Sequence, residues 1–398
     1  MAVLGGLVAA ALLIGPADTL SLDGALAAAR ANRRVLVAAA AGVSEARGRT
    51  RVAGTVPNPI VALSYTGSPP RRHVTLDQPL GWLARRSAER GAAAARVDRA
   101  VADSAQVAAD LRREVQRAFF GALAAGHRVA ALQEQRRLAD SLVVLGRRRV
   151  AVGDIAPLEL EQTIQEAARA ALAVNRADED RAIAMTALAR TLGVADTAAV
   201  TPVGDLAAEL DGPPVVASGS IRDLPGVRAA VADSAAAART LMSAARSRVP
   251  APSFQVGVEW DDPAALDHRS FLTVGVAFPF PLWNIGRGGA VAAARGAAGR
   301  AAAVAAETEL EFRRLVQEQV ARVDHRARRA RLGRDNLRPS AERLRVGTIA
   351  QYASGRATVL AVFEALRAER DITLTLIDDV LAFQEARADL DAILGRSD

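Results

Sequence analysis

Residue types that do acid–base, nucleophilic or metal chemistry occur in this chain, but they are scattered. The four histidines, His73, His127, His268 and His325, lie far apart, and none has a second ligand at the helical or turn spacing that would frame a zinc site. The densest acidic group, Asp261, Asp262, Asp267 and His268, falls in a polar turn, where it could attract a cation or simply solubilise a loop. Cysteine is absent, which excludes disulfides, thiolate ligands, cysteine nucleophiles and a lipid-bearing cysteine. All 51 basic residues are arginine, so no G-x-x-x-x-G-K-[ST] phosphate loop exists. No set of Ser, His and acid stands out. These residues predict neither an enzyme nor a resident cofactor or metal.

The net charge of +7 is also not that of a nucleic-acid surface. Arginines alternate with acids and amides along helical stretches, as in Arg112, Arg113, Glu114, Gln116 and Arg117, the pattern of a solvated or ion-paired helix face. No aromatic residues are interleaved as a stacking platform. Hydrophobic residues make up 51% of the 398, but much of that is alanine and only 4% is aromatic, a composition suited to close-packed helices.

An apolar run from Ala2 to Ile14, followed by Gly15-Pro16-Ala17, resembles a secretory signal without its positive leader, and 1–17 is read as such. No later segment offers about 20 uninterrupted apolar residues, so a membrane crossing would be made by strands.

An internal repeat organises the rest. A shift of 202 places Val74 on Val276, Pro79 on Pro281, Leu80 on Leu282, Gly153 on Gly355, Leu188 on Leu390, Leu192 on Leu394 and Gly193 on Gly395. Repeat one spans 18–193 and repeat two 222–398, joined by a segment rich in small residues at 194–221. Each begins with a helix (about 23–52 after the possible caps Ser21 and Asp23, and 222–248). A hairpin follows, at about 58–80 and 253–281. Alternation puts Val61, Leu63, Tyr65, Val74 and Leu76 on one face of the first, with Ser64, Thr75 and Asp77 opposite. In the second, Phe254, Val256, Val258 and Trp260 match Leu272, Val274, Val276, Phe278 and Phe280, with Gln255, Glu259 and Thr273 opposite.

Long helices come next, over 84–151 and 286–352, the first about 100 Å long at 1.5 Å per residue. Their apolar positions recur at threes and fours, the spacing of a packed seam. Return helices run over 155–193 and 357–395, and Pro339 should locally bend the second long helix. At both strand-to-helix junctions stand prolines and glycines: Pro79 and Gly81, then Pro279, Pro281 and Gly286. Four strands with one apolar and one polar face suit a barrel wall but cannot close one, so several copies must combine.

This order of elements, twice over, resembles the outer-membrane efflux (TolC-like) family along nearly all of the mature chain. Leu20-Ser-Leu-Asp-Gly-Ala-Leu26 with Ala31-Asn32 is similar to its first helix, Pro57-Asn58-Pro59 to the lead-in of its first strand, and Gln78-Pro-Leu-Gly81 to its first junction. Pro281-Leu-Trp-Asn-Ile-Gly-Arg287 resembles the second junction, and 152–159 and 352–360 the two helical-hairpin turns.

The resemblance implies a mostly α fold with a small β part: a homotrimer whose α-helical barrel crosses the periplasm and is topped by a 12-stranded transmembrane β-barrel. It implies a conduit in the outer-membrane lipid, docked on a periplasmic adaptor protein and an inner-membrane transporter of RND or ABC type, with no cofactor. Drugs, metal cations or other small molecules could be cargo; the Pro-Asn-Pro lead-in leans toward the branch serving metal-cation pumps.

The family's gate positions fall on Tyr352, an aromatic latch, and on Glu159 and Glu364, acids at the mouth. The expected latch arginine would fall on Ala357 and a further acid on Ala361; the nearest arginine is Arg356. The adaptor surface would comprise Arg147, Arg148, Arg149, Val152, Gly153 and Ile155, with Arg345, Val346, Gly347, Ser354 and Gly355 from repeat two. Glycines there permit close approach, and arginines can reach carboxylates or carbonyls. The competing reading is a soluble periplasmic coiled-coil adaptor or scaffold; the 202-residue repeat argues against an adaptor with a single helical hairpin, and a scaffold would have no use for two hairpins with apolar faces.

Overall fold

The computed structural model describes residues 18–53, 55–68, 71–194, 200–212, 219–247, 251–260, 270–279 and 285–396. The apolar leader, Pro281, Phe280 and the turn bearing Asp261, Asp262, Asp267 and His268 lie outside them. Two compact units divide the chain: Met1–Leu36, Val107–Gly219 and Arg314–Asp398 form one, Val37–Gln106 and Ser220–Arg313 the other. Each takes segments from both repeats, because the long helices begin in one unit and end in the other.

Unit one holds the main core. Its helices are α1 (Leu22–Asn32), the later part of α3 (Trp82–Ala151), α4 (Pro157–Leu192), the end of α6 (Ile285–Leu332), α7 (Arg338–Ala353) and α8 (Val359–Ile393). Val115 and Phe119 of α3, Leu188 and Leu192 of α4 and Leu390 of α8 are almost wholly buried. The Phe119 and Phe120 rings meet edge to face at 5.6 Å. Between these large side chains lie Ala25, Ala29, Ala124, Ala330 and Ala386, equally buried. The alanine-rich composition is thereby accounted for: small residues let helix backbones approach closely, and packing supplies the contact area.

Four glycines adopt left-handed φ at paired places: Gly153 (75°) and Gly355 (74°) after α3 and α7, Gly193 (73°) and Gly395 (69°) after α4 and α8. A left-handed residue ends a helix by returning N–H groups to its last carbonyls, and Gly adopts it without steric cost. Gly193 does so through bonds to Ala189 and Arg190.

Two expectations are corrected. The helix expected over 23–52 is two, α1 and α2 (Arg34–Ala53), broken at Arg33, whose backbone is extended. The Arg33 side chain explains the break: it donates to the Thr191 carbonyl at 3.1 Å and pairs with Glu114 at 3.3 Å. Ser21 caps α1 by accepting from Gly24 N–H. The second long helix is also interrupted: α6 passes through a π turn, Gly333–Leu337, into α7. Pro339 cannot donate to the helical ladder, and the ladder there takes up one extra residue, with Arg338 N–H donating to Gly333.

A short parallel pair, β1 (Asp18–Leu20) with β4 (Val200–Pro202), opens an irregular segment clasped by side chains. Gln384 donates to the carbonyls of Leu206 and Ala208, Arg331 to that of Leu210, and Arg334 makes two bonds to Asp211 at 2.7 and 2.8 Å. Further pairs tie helix to helix, Arg117 to Asp389, Arg128 to Asp378 and Arg329 to Asp379.

Unit two contains α5 (Pro225–Arg246), the first part of α3 and of α6, and a sheet of order β2-β3-β5-β6, made of Ile60–Tyr65, Arg72–Pro79, Ser253–Trp260 and Ser270–Ala277. Arg99 of α3 reaches Asp233 of α5 at 2.5 Å. At the start of α5, Gly226 lies under the Phe312 ring, where an added Cβ would stand 2.3 Å from Cζ. Gly226→Ala should therefore cost about 1–3 kcal/mol in urea unfolding, as overpacking does, and Phe312→Leu should recover part of that loss. An unchanged midpoint would show that the ring yields freely.

Glu166 of α4 accepts two hydrogen bonds from Arg367 of α8, at 3.0 and 2.7 Å, and this bonding holds its pKa below the ordinary carboxylate value. A carboxylate with a depressed folded pKa contributes stability above its unfolded value of about 4.3. That contribution is lost as pH falls through the folded value. Below about pH 4.3, unfolding midpoints of Arg367→Met should fall less steeply with acid than those of the native chain. Parallel slopes would remove the pair from the acid response.

Candidate functional site

Two features of the fold could serve transport: the sheet and the helical tips. In the sheet, all pairings are antiparallel, and register sets Leu63 opposite Val74, Val74 opposite Val258 and Val258 opposite Leu272. The next row reads Val61, Leu76, Val256, Val274. Every second residue thus adds to one continuous apolar face, as alternation requires. That face is turned outward from its own chain: Leu63 is 78% exposed, Leu272 70% and Val61 60%.

The opposite face is polar and internally bonded. Asp77 accepts from Ser253 at 2.9 Å and from Gln255 at 2.5 Å, and His73 stands 3.6 Å from Glu259. Among the described residues, β2 and β6 each pair on one side only, leaving an edge at either end. No described helix is long and apolar enough to cross a membrane, and no described group of three or more His, Asp or Glu could hold a metal ion.

The first junction is tight. Gln78 donates to the Pro57 carbonyl at 3.1 Å, and Leu80 N–H to the Pro252 carbonyl at 2.8 Å. Pro79 closes β3, and a Cβ on Gly81 would stand 2.5 Å from that of Ala251. Only glycine fits without displacing the lead-in of the second hairpin. In the second junction, β6 stops at Ala277, two residues before the exposed Pro279, and Gly286 is already helical.

At the tips, the structure rearranges the expected site. Tyr352 is 1% exposed, packed with Leu142 of α3 and Val359, Val362, Phe363 and Leu366 of α8. Its ring is therefore a core element within the chain. Arg149 lies over that ring, 4.8 Å from the centroid, and donates to the Tyr352 carbonyl at 3.2 Å. The same guanidinium bonds Asp154 at 2.5 Å, which raises the Arg149 pKa above its ordinary value. Cation–π contacts of this reach are favourable, more so when partly desolvated. Arg149 is thus a tie between the two tips.

Arg345 is likewise engaged, 2.7 Å from Glu369, with both side chains 18% exposed. Arg147, Arg148, Val152, Gly153, Val346, Gly347, Ser354 and Gly355 are exposed, and Ile155 is half-buried. Arg356 donates to the Ser354 hydroxyl of its own turn at 3.0 Å. Glu159 is half-buried in the first turn of α4 and Glu364 exposed on α8. Asp154 was not anticipated. The repeat offset did hold a signal for its partner, since it sets Arg149 level with Gln351, next to Tyr352.

Comparison with known proteins agrees with this geometry. Residues 25–194 match the family model described as outer membrane efflux protein. The chain is 28% identical over 284 residues to the cobalt-zinc-cadmium resistance protein CzcC of Cupriavidus metallidurans, covering 70% of this chain and 67% of CzcC. In fold it matches CusC with a TM-score of 0.79 at 16% identity, over 94% of this chain and 91% of that one. It matches the Vibrio cholerae outer membrane protein VceC at 0.74 and 17%, over 94% and 95%. A membrane protein from Pseudomonas aeruginosa matches at 0.76 and 20%, over 94% and 93%. Over residues 25–194 the chain is thus similar to the outer membrane efflux protein family, and over 94% of its length it has the fold of the solved structures named above.

Proposed function

We propose that this chain is the channel subunit of a tripartite efflux assembly, passively conducting substrate from an inner-membrane transporter and periplasmic adaptor across the outer membrane. The observation that carries this reading is the sheet, with an apolar face exposed on its own chain and an unpaired strand at each edge among the described residues. Such a sheet is complete only when its edges are paired and its apolar face meets lipid. Two copies would give eight strands, about the size whose interior side chains fill. Three give twelve and room for a wet lumen lined by the face of Asp77, Gln255 and Glu259.

The helical tips would form the periplasmic mouth. Exposed Arg147, Arg148, Val152 and Gly153, with Val346, Gly347, Ser354 and Gly355, are the surface offered to the adaptor. Opening needs two states a few kcal/mol apart, of which the adaptor binds one preferentially. Metal cations are the favoured cargo, since CzcC is named for cobalt, zinc and cadmium resistance.

Assembly can be tested cleanly because the native chain has no cysteine. Ser64→Cys with Thr273→Cys places thiols on β2 and β6, and a bismaleimide should link membrane-embedded protein into a ladder ending at three chains. A ladder ending elsewhere would overturn the trimer, and a soluble monomer the channel. If Glu364 lines the mouth, Glu364→Ala in bilayers should lower cation preference, and unchanged selectivity would place it elsewhere.

A further inference from the structure

The run from Arg112 to Arg117 on α3 has the pattern of an ion-paired face, and most of it is paired: Arg113 lies 3.2 Å from Asp110, Glu114 3.3 Å from Arg33 and Arg117 2.8 Å from Asp389. Arg112 differs. Among the described residues no carboxylate pairs with it, and its Nε is enclosed with no hydrogen-bond acceptor. The side chain instead lines a pocket of about 270 Å³ within unit one. Ala108, Leu111, Arg112 and Val115 stand at i, i+3, i+4 and i+7, so one face of α3 supplies them all. Leu26 and Arg30, one turn apart on α1, line it as well, and Arg30 is itself engaged within the chain. Leu36 comes from α2. The extended backbone at Arg33 creates this arrangement, because Leu36 then leaves the Leu26–Arg30 stripe of α1 and borders the pocket from a second helix.

We propose that this pocket binds a small amphiphilic carboxylate, its head on the Arg112 guanidinium and its hydrocarbon chain along Leu26, Leu36, Leu111 and Val115. Its volume approaches the roughly 300 Å³ at which small-molecule pockets begin. Leu26, Leu111 and Val115 belong to the main core and are 6%, 4% and 0% exposed, so close packing holds the apolar lining in place without a ligand. An enclosed N–H without an acceptor is unfavourable. A carboxylate gives the planar guanidinium charge-assisted bonds. The acids nearest in sequence do not compete for it, since Arg33 holds Glu114 and Arg113 holds Asp110. The aliphatic lining favours hydrocarbon over a bare inorganic anion, and the one guanidinium there without a partner calls for one negative charge. Size, lining and charge together select an alkyl monocarboxylate. The site goes beyond the channel reading and does not rest on it.

The test titrates octanoate into the full-length protein in maltoside micelles, against a blank of micelles alone, and reads the heat of binding. The native protein should bind octanoate more tightly than 1-octanol, which lacks the charge, or propionate, which lacks the chain. Arg112→Gln should weaken octanoate about tenfold, the scale of a lost charge-assisted hydrogen bond, and leave 1-octanol unchanged. Arg112→Lys should recover part of that loss. Ala108→Leu fills the pocket and should remove octanoate binding with Arg112 intact. Equal octanoate affinity in Arg112→Gln would overturn the site. So would 1-octanol binding as tightly as octanoate, which would mark an apolar cleft without anion recognition. No heat above the blank, the result expected if a second copy covers the pocket, would overturn it too. Should Arg112→Gln fail to fold, Ala108→Leu decides the matter, unchanged octanoate binding being the adverse result. A bismaleimide ladder ending at three chains, in protein that binds no octanoate, fails the site alone and leaves the channel reading standing.

Discussion

Backbone N–H and C=O groups along β2 and β6 face away from their only partner strands in the described chain, while the residues between them turn aliphatic side chains outward. Either feature alone could be tolerated at a protein surface. Together they require a surrounding that supplies hydrogen bonds at the strand edges and none over the face. Further strands beside β2 and β6 would meet the first condition and an apolar neighbour the second, which water does not supply. The helical parts satisfy the reverse demand. Their exposed faces carry arginines paired with acids of neighbouring turns or helices, which are inexpensive in water and costly in lipid.

Within unit one, the same arginines do a second job. The segment after β4 has little secondary structure of its own, and its carbonyls need donors. Arg331 and Gln384 provide them from the helices beneath, Arg334 binds the Asp211 carboxylate of the same segment, and Arg33 donates to the Thr191 carbonyl at the end of α4. Guanidinium groups suit this because several N–H donors in one plane can satisfy a carboxylate and a carbonyl together. A basic excess that carries no nucleic-acid signature is explained by structural use.

Much of this was legible beforehand. Alternation in the hairpins foretold which residues share a face, and left-handed glycines stand at paired offsets in the two repeats. What could not be read was set by tertiary contact. The break at Arg33 depends on Glu114 and Thr191, distant in sequence, and no propensity marks it. Pro339 foretold a disturbance in the second long helix but not its form, because a bend and a π turn both accommodate a missing donor. Tyr352 was expected as a gate latch and Arg345 on the adaptor surface by resemblance, and a resemblance of motifs does not reveal that Arg149 and Glu369 engage them.

The change from sheet to helix is a tightly constrained point of the described chain. At Pro79 the strand must stop pairing, at Trp82 a helix must begin, and between them the lead-in of the second hairpin passes at contact distance. Proline ends the ladder because it lacks a donor, and glycine admits Ala251 because it lacks a Cβ. A longer connection would relieve the crowding, but it would also free the helix to pivot about the sheet. The bonds from Gln78 to Pro57 and from Leu80 to Pro252 act against that freedom by fixing both lead-ins to one junction. Small residues and bonded carbonyls at this point therefore make sheet and helix continuous.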